Sequence, residues 1–168
     1  MEVLKYGHQT LKEQSIEITQ FGPPLEKLAD EMYHTMIKAK GIGLAAPQVG
    51  VLKRLIVIDL EEGEGRINLV NPVISSHTRE IQGGEEGCLS IPEVYAEIDR
   101  FKSIHVEAQS LTGEKLSFNA SDLLARVIQH EIDHLDGILF VDHLDKLDKL
   151  RLKGDLKKVK KKYRKVYA

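Results

Sequence analysis

The sequence predicts a single globular domain in which mainly antiparallel strands wrap around one buried helix, with a second helix at the C-terminal end. Three observations support this prediction. A helical pattern runs from about residue 122 to 135, short β-branched runs precede it, and apolar residues repeat at helical spacing near the C-terminus. The 168 residues, 42% hydrophobic and 30% charged, suit one domain with its own core.

The first regular element is predicted after a short N-terminal segment. Pro23 and Pro24 suit the first turn of a helix, and its apolar residues then follow at helical spacing: Leu25, Leu28, Met32 and Met36. Gly41 ends this helix. Residues 41–50 are so rich in Gly, Ala and Pro that they predict an ordered loop rather than a regular element.

Strands are predicted next. The β-branched or alternating runs are residues 55–58, 69–70, 104–108 and 116–118, with a turn at 111–114. Residues 85–92 lie between Gly83-Gly84 and Pro92, and we expect a loop there because Gly and Pro punctuate regular structure.

The central helix is predicted from Asp122 to Leu135, with Ser121 or Asp122 as its N-cap. Its apolar residues would anchor it in the core: Leu124, Val127, Ile128 and Leu135.

The C-terminal segment 149–168 carries ten Lys or Arg and one Asp, whereas residues 1–148 hold the other 14 basic and 25 acidic residues. Its apolar stripe predicts an amphipathic helix: Leu152, Leu156, Val159, Tyr163 and Val166. We therefore expect a body of residues 1–148 and a basic helix of 149–168 within the same domain. Two roles fit this helix, a docked helix that its lysines keep soluble and a contact with a polyanion.

The N-terminus has no basic region followed by an apolar run, and no apolar stretch approaches the length of a membrane span. The single cysteine, Cys88, cannot form an internal disulfide. Both features predict a cytoplasmic chain with no membrane partner.

The central helix carries the pattern HExxH at residues 130–134. His130 and His134 lie about one helical turn apart, so both can bind one metal ion. Such a site needs a third protein ligand and an open position. In the peptidase pattern HExxHxxGxxH the third His would stand where this chain has Phe140, and no Glu follows Glu131.

Four other residues remain as candidates for the third ligand. Asp136, Asp142 and Asp145 would keep a metallopeptidase possible. Upstream, the thiolate of Cys88 would complete a three-ligand set with an open position. A lone cysteine is ordinarily a small buried apolar residue, but the HExxH helix makes ligation the favoured interpretation.

Three motifs together resemble those of the peptide deformylase family, in the same order: GIGLAAPQ at 41–48, EGCLS at 86–90 and QHEIDH at 129–134. That family removes the formyl group from the N-terminal formyl-methionine of nascent polypeptides and releases formate. The resemblance implies an α+β fold, with antiparallel sheets around the metal-binding helix.

The resemblance also implies roles for individual residues. Cys88, His130 and His134 would bind one divalent metal, with Fe(II) expected and Zn, Ni or Co possible. The metal would supply a hydroxide, with Glu131 as general acid and base. Gln48 and the backbone N–H of Leu89 would stabilise the oxyanion. The residues expected to bind the substrate are Ile42, Gly43, Gly87 and Val127.

The remaining expectations concern partners and residues next to the motifs. The expected partners are the formyl-Met nascent peptide and, through the lysines of the tail, ribosomal RNA near the exit of the nascent chain; no DNA is expected. An RNA-binding protein with a vestigial motif is the non-enzymatic alternative. Arg126 and Gly84 would flank the methionine pocket. Arg100 could pair with an acid near the metal or be a surface residue, and Asp133 could be a surface residue or orient a ligand. Glu85 and Glu86 are expected to be solvated or ion-paired.

Overall fold

The computed structural model describes residues 1–63 and 65–164, so the predicted Lys165 and Val166 of the tail lie outside the described residues. Within these ranges there are three α-helices: α1 (Pro23–Lys38), α2 (Asp122–Leu135) and α3 (Lys146–Tyr163). The strands are β1 (Gly43–Ala45), β2 (Leu55–Ile58), β3 (Ile67–His77), β4 (Ile81–Gln82), β5 (Glu85–Cys88), β6 (Ile91–Glu97), β7 (Arg100–Phe101), β8 (Ser103–Gln109) and β9 (Lys115–Ser121). Short 3-10 turns occupy Gln9–Lys12, Ala46–Val49 and Phe140–His143.

The strands form a five-stranded sheet in the order β1-β2-β3-β8-β9 and two small sheets, β4-β7 and β5-β6. All of these strand pairs are antiparallel. This confirms the α+β class and the antiparallel prediction. The predicted strands at 55–58, 69–70, 104–108 and 116–118 all lie within observed strands.

Two helices cover opposite faces of the five-stranded sheet, and β2 shows why its sequence is apolar throughout. Ile56 and Ile58 face the core cluster that includes α2. Leu55 and Val57 face the cluster that includes α1. Because successive side chains of a strand point to opposite faces, a strand covered on both faces must be apolar at every position. The helix α2 is therefore central, as predicted, and it has the predicted bounds.

The helix α3 packs on β6. Leu152 and Val159 are buried in a third core cluster with Ile91 and Val94, which confirms the predicted apolar stripe at these two positions. The helix begins earlier than predicted, at Lys146, because the side chain of Asp145 accepts a hydrogen bond from the backbone N–H of Asp148 at 2.8 Å. No helix among the described residues is long and apolar enough to cross a membrane.

Two predicted loops are wrong in part. Residues 41–50 contain β1 and a 3-10 turn, because β1 pairs with β2 from Gly43 opposite Ile58 to Ala45 opposite Ile56. Residues 85–92 form most of the β5-β6 hairpin, in which Cys88 pairs with Ile91. Gly and Pro lower local strand propensity, but pairing with a neighbouring strand overrides it here. At the start of α2, Ser121 is the N-cap residue, but its side chain makes no capping hydrogen bond.

Candidate active site

Five polar side chains of α2 are buried: Arg126, Gln129, His130, Glu131 and His134. His130 is 9% exposed and His134 1% exposed, and both face Cys88 on the β5-β6 hairpin. The ligand atoms of Cys88, His130 and His134 lie within 4.8 Å of one another, and the Cys88 Sγ is 3.3 Å from the His134 Nε2. The structure thus brings together the three predicted ligands from two elements that are about forty residues apart in the sequence.

These three residues fit a first-row divalent metal. One thiolate and two imidazoles leave a fourth position open, which is the arrangement of catalytic rather than structural sites. Burial lowers the pKa of His134 well below its ordinary value, so its imidazole stays neutral as a ligand must be. Its Nδ1 is buried and has no hydrogen-bond partner among the described residues.

Glu86 fixes the orientation of His130. Its Oε1 lies 2.9 Å from the His130 Nδ1, and Arg100 donates to both of its oxygens at 2.9 Å. Burial alone would raise the pKa of Glu86, but the hydrogen bonds from Arg100 and His130 outweigh it and lower the pKa to about 2. The ionised carboxylate therefore holds the Nδ1 hydrogen and leaves the Nε2 of His130 for a metal.

Arg100 pairs with an acid, as one of its two expected roles predicts, and the hydrogen-bond network around it extends to the surface. The Arg100 Nη1 donates to the Asp133 Oδ2 at 2.7 Å, and the His143 Nε2 lies 2.7 Å from the same oxygen. Asp133 therefore pairs with Arg100 rather than facing solvent alone. Of the two roles expected for Glu86, solvated or ion-paired, the structure shows the second, and it makes Glu86 the buried centre of this network, with partners 14 to 44 residues away.

Glu131 is 3% exposed and lies beside the two histidines. Its Oε1 is 3.7 Å from the His130 Nε2, and its Oε2 has no hydrogen-bond partner among the described residues. Burial raises the pKa of Glu131 to about 7. A carboxyl group with a pKa near neutrality can both accept and release a proton, which suits a general acid and base.

Gln48 is buried, and its amide is held in one orientation. The Oε1 accepts from the backbone N–H of Ala45 at 2.9 Å, so the amide nitrogen points the other way. The Nε2 donates to the Ser90 Oγ at 3.1 Å and reaches the Cys88 Sγ at 3.5 Å. The structure therefore places the predicted side-chain donor directly beside the predicted thiolate ligand.

Leu89 follows Cys88 at the turn of the hairpin, and its side chain packs against the first motif. A Cβ added to Gly41 would lie 2.6 Å from the Leu89 Cδ1, so only glycine fits there without movement. Gly43 approaches α2 just as closely, because its added Cβ would lie 2.9 Å from the Val127 Cγ1 and 3.2 Å from the Glu131 Cγ. Glycines thus allow the three motifs to pack together.

A cleft of about 560 Å³ opens onto these groups. Its lining includes the four residues predicted to bind substrate, Ile42, Gly43, Gly87 and Val127. Tyr95 and Leu123 also line the cleft although they are 58% and 51% exposed, and the sequence analysis missed both. Neither residue belongs to a motif or a periodic pattern that could have indicated it.

The aspartates that kept a metallopeptidase possible are engaged elsewhere. Asp136 pairs with the Arg54 Nη2 at 3.0 Å, Asp142 accepts from the backbone N–H of Leu139 at 2.8 Å, and Asp145 caps α3. Among the described residues, His130 and His134 form a three-ligand cluster with Cys88 and not with any aspartate.

Comparison with known proteins agrees with this geometry. The sequence model of the family described as polypeptide deformylase matches residues 1–150. The chain belongs to the peptide deformylase family. Members of this family are metal-dependent hydrolases that remove the N-terminal formyl group from nascent peptides, and this is the activity of the present enzyme.

Individual deformylases are similar over most of their length. The peptide deformylase of Heliobacterium modesticaldum is 46% identical over 144 residues, which cover 86% of this chain and 93% of that one. Among solved structures, a Plasmodium falciparum peptide deformylase has a TM-score of 0.94 at 30% identity and covers 99% of both chains. Arabidopsis thaliana peptide deformylase 1B, in complex with an inhibitor, has a TM-score of 0.92 at 39% identity and covers 98% of this chain and 93% of that one.

Proposed function

We propose that Cys88, His130 and His134 bind one divalent metal ion and that deformylation takes place beside it. The observation that supports this most strongly is the convergence of the three ligand atoms within 4.8 Å of one another, beside a cleft that Cys88 and His130 line. When bound, the metal supplies a Lewis acid that lowers the pKa of a coordinated water from about 16 to roughly 7.

Glu131 is the general acid and base in this proposal. Its Oε2, which has no hydrogen-bond partner within residues 1–63 and 65–164, accepts the proton of the attacking water, and the same carboxyl group then delivers that proton to the departing amine. Formate and a free N-terminal methionine are the products. The pKa of about 7 places both steps within reach at neutral pH.

Gln48 and Leu89 stabilise the negative charge that grows on the formyl oxygen. The Gln48 amide is preorganised by its bonds to Ala45 and Ser90, so it needs no rearrangement as the charge develops. Leu89 contributes its backbone N–H beside Cys88. Donors of this kind are worth roughly 3–4 kcal/mol each to the transition state.

The substrate peptide binds along β1. This strand stands at the edge of the five-stranded sheet, so an extended peptide can pair with the backbone around Ile42 and Gly43. Ile42 and Val127 line the pocket for the methionine side chain, and Gly87 lets the peptide approach the hairpin. A formyl group is small, so the tight packing around Gly43 favours it over larger acyl groups.

Iron(II) is the metal we propose, with Zn, Ni and Co as substitutes. A thiolate with two imidazoles accepts all four, and the family resemblance favours iron. Iron beside a thiolate predicts that air inactivates the enzyme, with Cys88 itself open to oxidation.

The basic face of α3 is proposed to bind ribosomal RNA near the exit of the nascent chain, which places the enzyme in the cytoplasm. Every Lys and Arg from 146 to 164 is exposed, and five of them line one shallow depression: Lys157, Lys158, Lys160, Lys161 and Arg164.

We also propose that residues 1–148 are the catalytic part and that α3 belongs to the same domain, because Leu152 and Val159 share its core.

The test is reconstitution without oxygen. Metal-free protein is loaded separately with Fe(II), Ni(II), Co(II) and Zn(II), and formate release from a formyl-Met peptide is measured with each. Activity with iron or nickel is expected, and inactivity with every metal would overturn the proposal.

Two variants test the ligand set in the same assay. Cys88→Ala should lose both bound metal and activity, whereas Asp136→Asn should keep both. An active Cys88→Ala variant that cleaves unformylated peptides would favour a metallopeptidase instead.

A further inference from the structure

Arg126 lies one helical turn before His130 on α2, and its side chain is 9% exposed. Its guanidinium joins three separate segments to the helix. The Nη1 donates to the Glu86 Oε2 at 2.6 Å and to the backbone carbonyl of Ile98 at 2.8 Å, and the Nη2 donates to the carbonyl of Gln82 at 2.9 Å. Arg126 therefore fixes the ends of β4 and β6, and Glu86 on β5, relative to the metal-binding helix.

The donors around Glu86 are divided evenly between its two oxygens. Oε1 takes hydrogen bonds from the His130 Nδ1 and the Arg100 Nη2, and Oε2 takes them from the Arg100 Nε and the Arg126 Nη1. Rotation of the carboxylate would break bonds on both sides. Loss of Arg126 would leave Oε2 with one donor and would remove the guanidinium donors of three carbonyls, those of Gln82, Gly84 and Ile98, at a buried site where unmet hydrogen bonds are costly.

Gly84 makes room for this guanidinium. A Cβ added to Gly84 would lie 3.0 Å from the Arg126 Nη2, 3.1 Å from its Cζ and 3.2 Å from its Nε. The backbone of Gly84 is not in the left-handed region, so other residues could adopt its conformation. A side chain at position 84 would therefore press on the guanidinium, which would have to shift by a few tenths of an ångström.

We propose that Arg126, seated against Gly84, is a positioning residue that holds Glu86 in the orientation that fixes the His130 ligand. This deepens the proposed function and rests on its ligand set. Arg126 also lines the cleft, but its hydrogen bonds among the described residues go to Glu86 and to backbone carbonyls and not to a proposed metal ligand. It acts through Glu86, and Gly84 acts through Arg126.

The test is a double-mutant cycle on the full-length, zinc-loaded enzyme. The rate of zinc release to a chromogenic chelator is measured for the wild type, Arg126→Met, Gly84→Ala and the double variant. Loss of a group that orients a metal ligand weakens metal binding by roughly 10- to 100-fold, so we expect at least about tenfold faster release from Arg126→Met. Gly84→Ala should act in the same direction although it keeps the positive charge.

Non-additivity is the decisive outcome. Once the guanidinium is absent, the extra methyl group has nothing to displace, so the double variant should release zinc no faster than Arg126→Met alone. Additive effects, or unchanged release in either single variant, would overturn the proposal. Gly83→Ala is the matched control, because its Cβ would meet only Asp99 Oδ1 and Glu97 Oε2, at 3.4 and 3.9 Å, and release should not change.

A further variant separates positioning from general destabilisation. Leu152→Ala weakens the core between α3 and β6 and removes no hydrogen bond to Glu86, so its zinc release should stay at the wild-type rate even where its Tm falls as much as that of Arg126→Met. Equal acceleration by Leu152→Ala would make Arg126 merely structural and overturn the proposal.

Cys88→Ser tests the ligand set itself. If this variant fails to accelerate zinc release, the proposed function fails. A Cys88→Ser effect without an Arg126→Met effect defeats this inference alone.

Discussion

The helices α2 and α3 differ in where their polar side chains lie. In α2 the buried positions include Gln129, His130, Glu131 and His134, and Gln129 exchanges two hydrogen bonds with the backbone of Phe101 at 2.9 and 3.0 Å. In α3 the buried residues are Leu152 and Val159, and the charged side chains face solvent. Chemistry on α2 therefore depends on partners from distant segments, whereas the Lys and Arg side chains of α3 are exposed.

This comparison predicts that substitutions in α2 have the largest effects on activity. Glu131→Gln keeps the size and burial of the side chain but cannot accept a proton. We expect kcat to fall by roughly 10²- to 10⁴-fold, because general acid and base catalysis contributes that much. Formate release from a formyl-Met peptide measures it, with metal content determined on the same sample. A variant that keeps its metal and full activity would contradict the assignment of Glu131.

The network behind α2 should make stability depend on acid pH. The pKa of Glu86 is about 2 in the folded protein against an ordinary 4.5. Because the folded-state value is the lower one, the stabilisation is complete above pH 4.5, shrinks as the pH falls from 4.5 towards 2, and is lost below. It amounts to about 3 kcal/mol in the free energy of unfolding.

Glu86→Gln removes this titrating group, so the gap in stability between wild type and variant should narrow by that amount between pH 4.5 and 2. Urea unfolding of the metal-free proteins at a series of pH values measures it. The neighbouring Glu85 is exposed, and Glu85→Gln is the matched control that should follow the wild-type curve. A constant gap for Glu86→Gln across this range would contradict the prediction.

In α3 the apolar stripe should matter for stability and not for catalysis. Leu152→Ala removes a side chain that is 8% exposed, and we expect a loss of about 2–3 kcal/mol in the free energy of unfolding. The kcat/KM for a formyl-Met peptide at low temperature should be unchanged. Leu147 is 74% exposed on the same helix, so Leu147→Ala should change neither quantity. An activity loss confined to Leu152→Ala would show that α3 is coupled to the site.

The charges of α3 should have the smallest effect on the enzyme itself. Reversal of Lys157, Lys158 and Lys161 to Glu should change stability by less than about 0.5 kcal/mol for each substitution and leave kcat unchanged. Ribosome co-sedimentation at low salt should be lost, because lysine contacts with phosphates supply this kind of binding and glutamate repels phosphate. Lys160 is left intact, since its side-chain carbons lie against Gly7.

Charge reversal is a cleaner test than deletion of residues 149–168, which would also remove Leu152 and Val159 from the core. The matched control reverses three exposed lysines on the body: Lys38, Lys53 and Lys115. Wild-type binding by the α3 variant, or equal loss by the control, would contradict a role for α3 in ribosome contact.

Local periodicity explains what the sequence could predict. The bounds of α2 and the one-turn spacing of His130 and His134 are properties of the helix alone, and the lone Cys88 could be reached by comparing candidate ligands. The prediction of a loop around Cys88 is wrong, because the Gly and Pro residues there disfavour a strand locally. The strands β5 and β6 form only because they pair with each other.

The Glu86 network was beyond the sequence for a different reason. Arg100, Arg126 and His130 stand at unrelated spacings from Glu86, and they meet only after the small sheets fold onto α2. For Gly84, local sequence predicts only the border of a loop. Its role depends on the position of a side chain 42 residues further along the chain.

The strand β1 has a consequence for self-association. A sheet edge that can accept a peptide can in principle accept the edge of another copy, and long exposed edges promote aggregation. Here the edge strand is three residues long, and it contacts both α1 and α2. So short an edge offers few hydrogen bonds to another sheet. With the substrate peptide paired along β1 as proposed, the enzyme keeps this edge available for newly made chains while it resists the strand-to-strand polymerisation that such an edge invites.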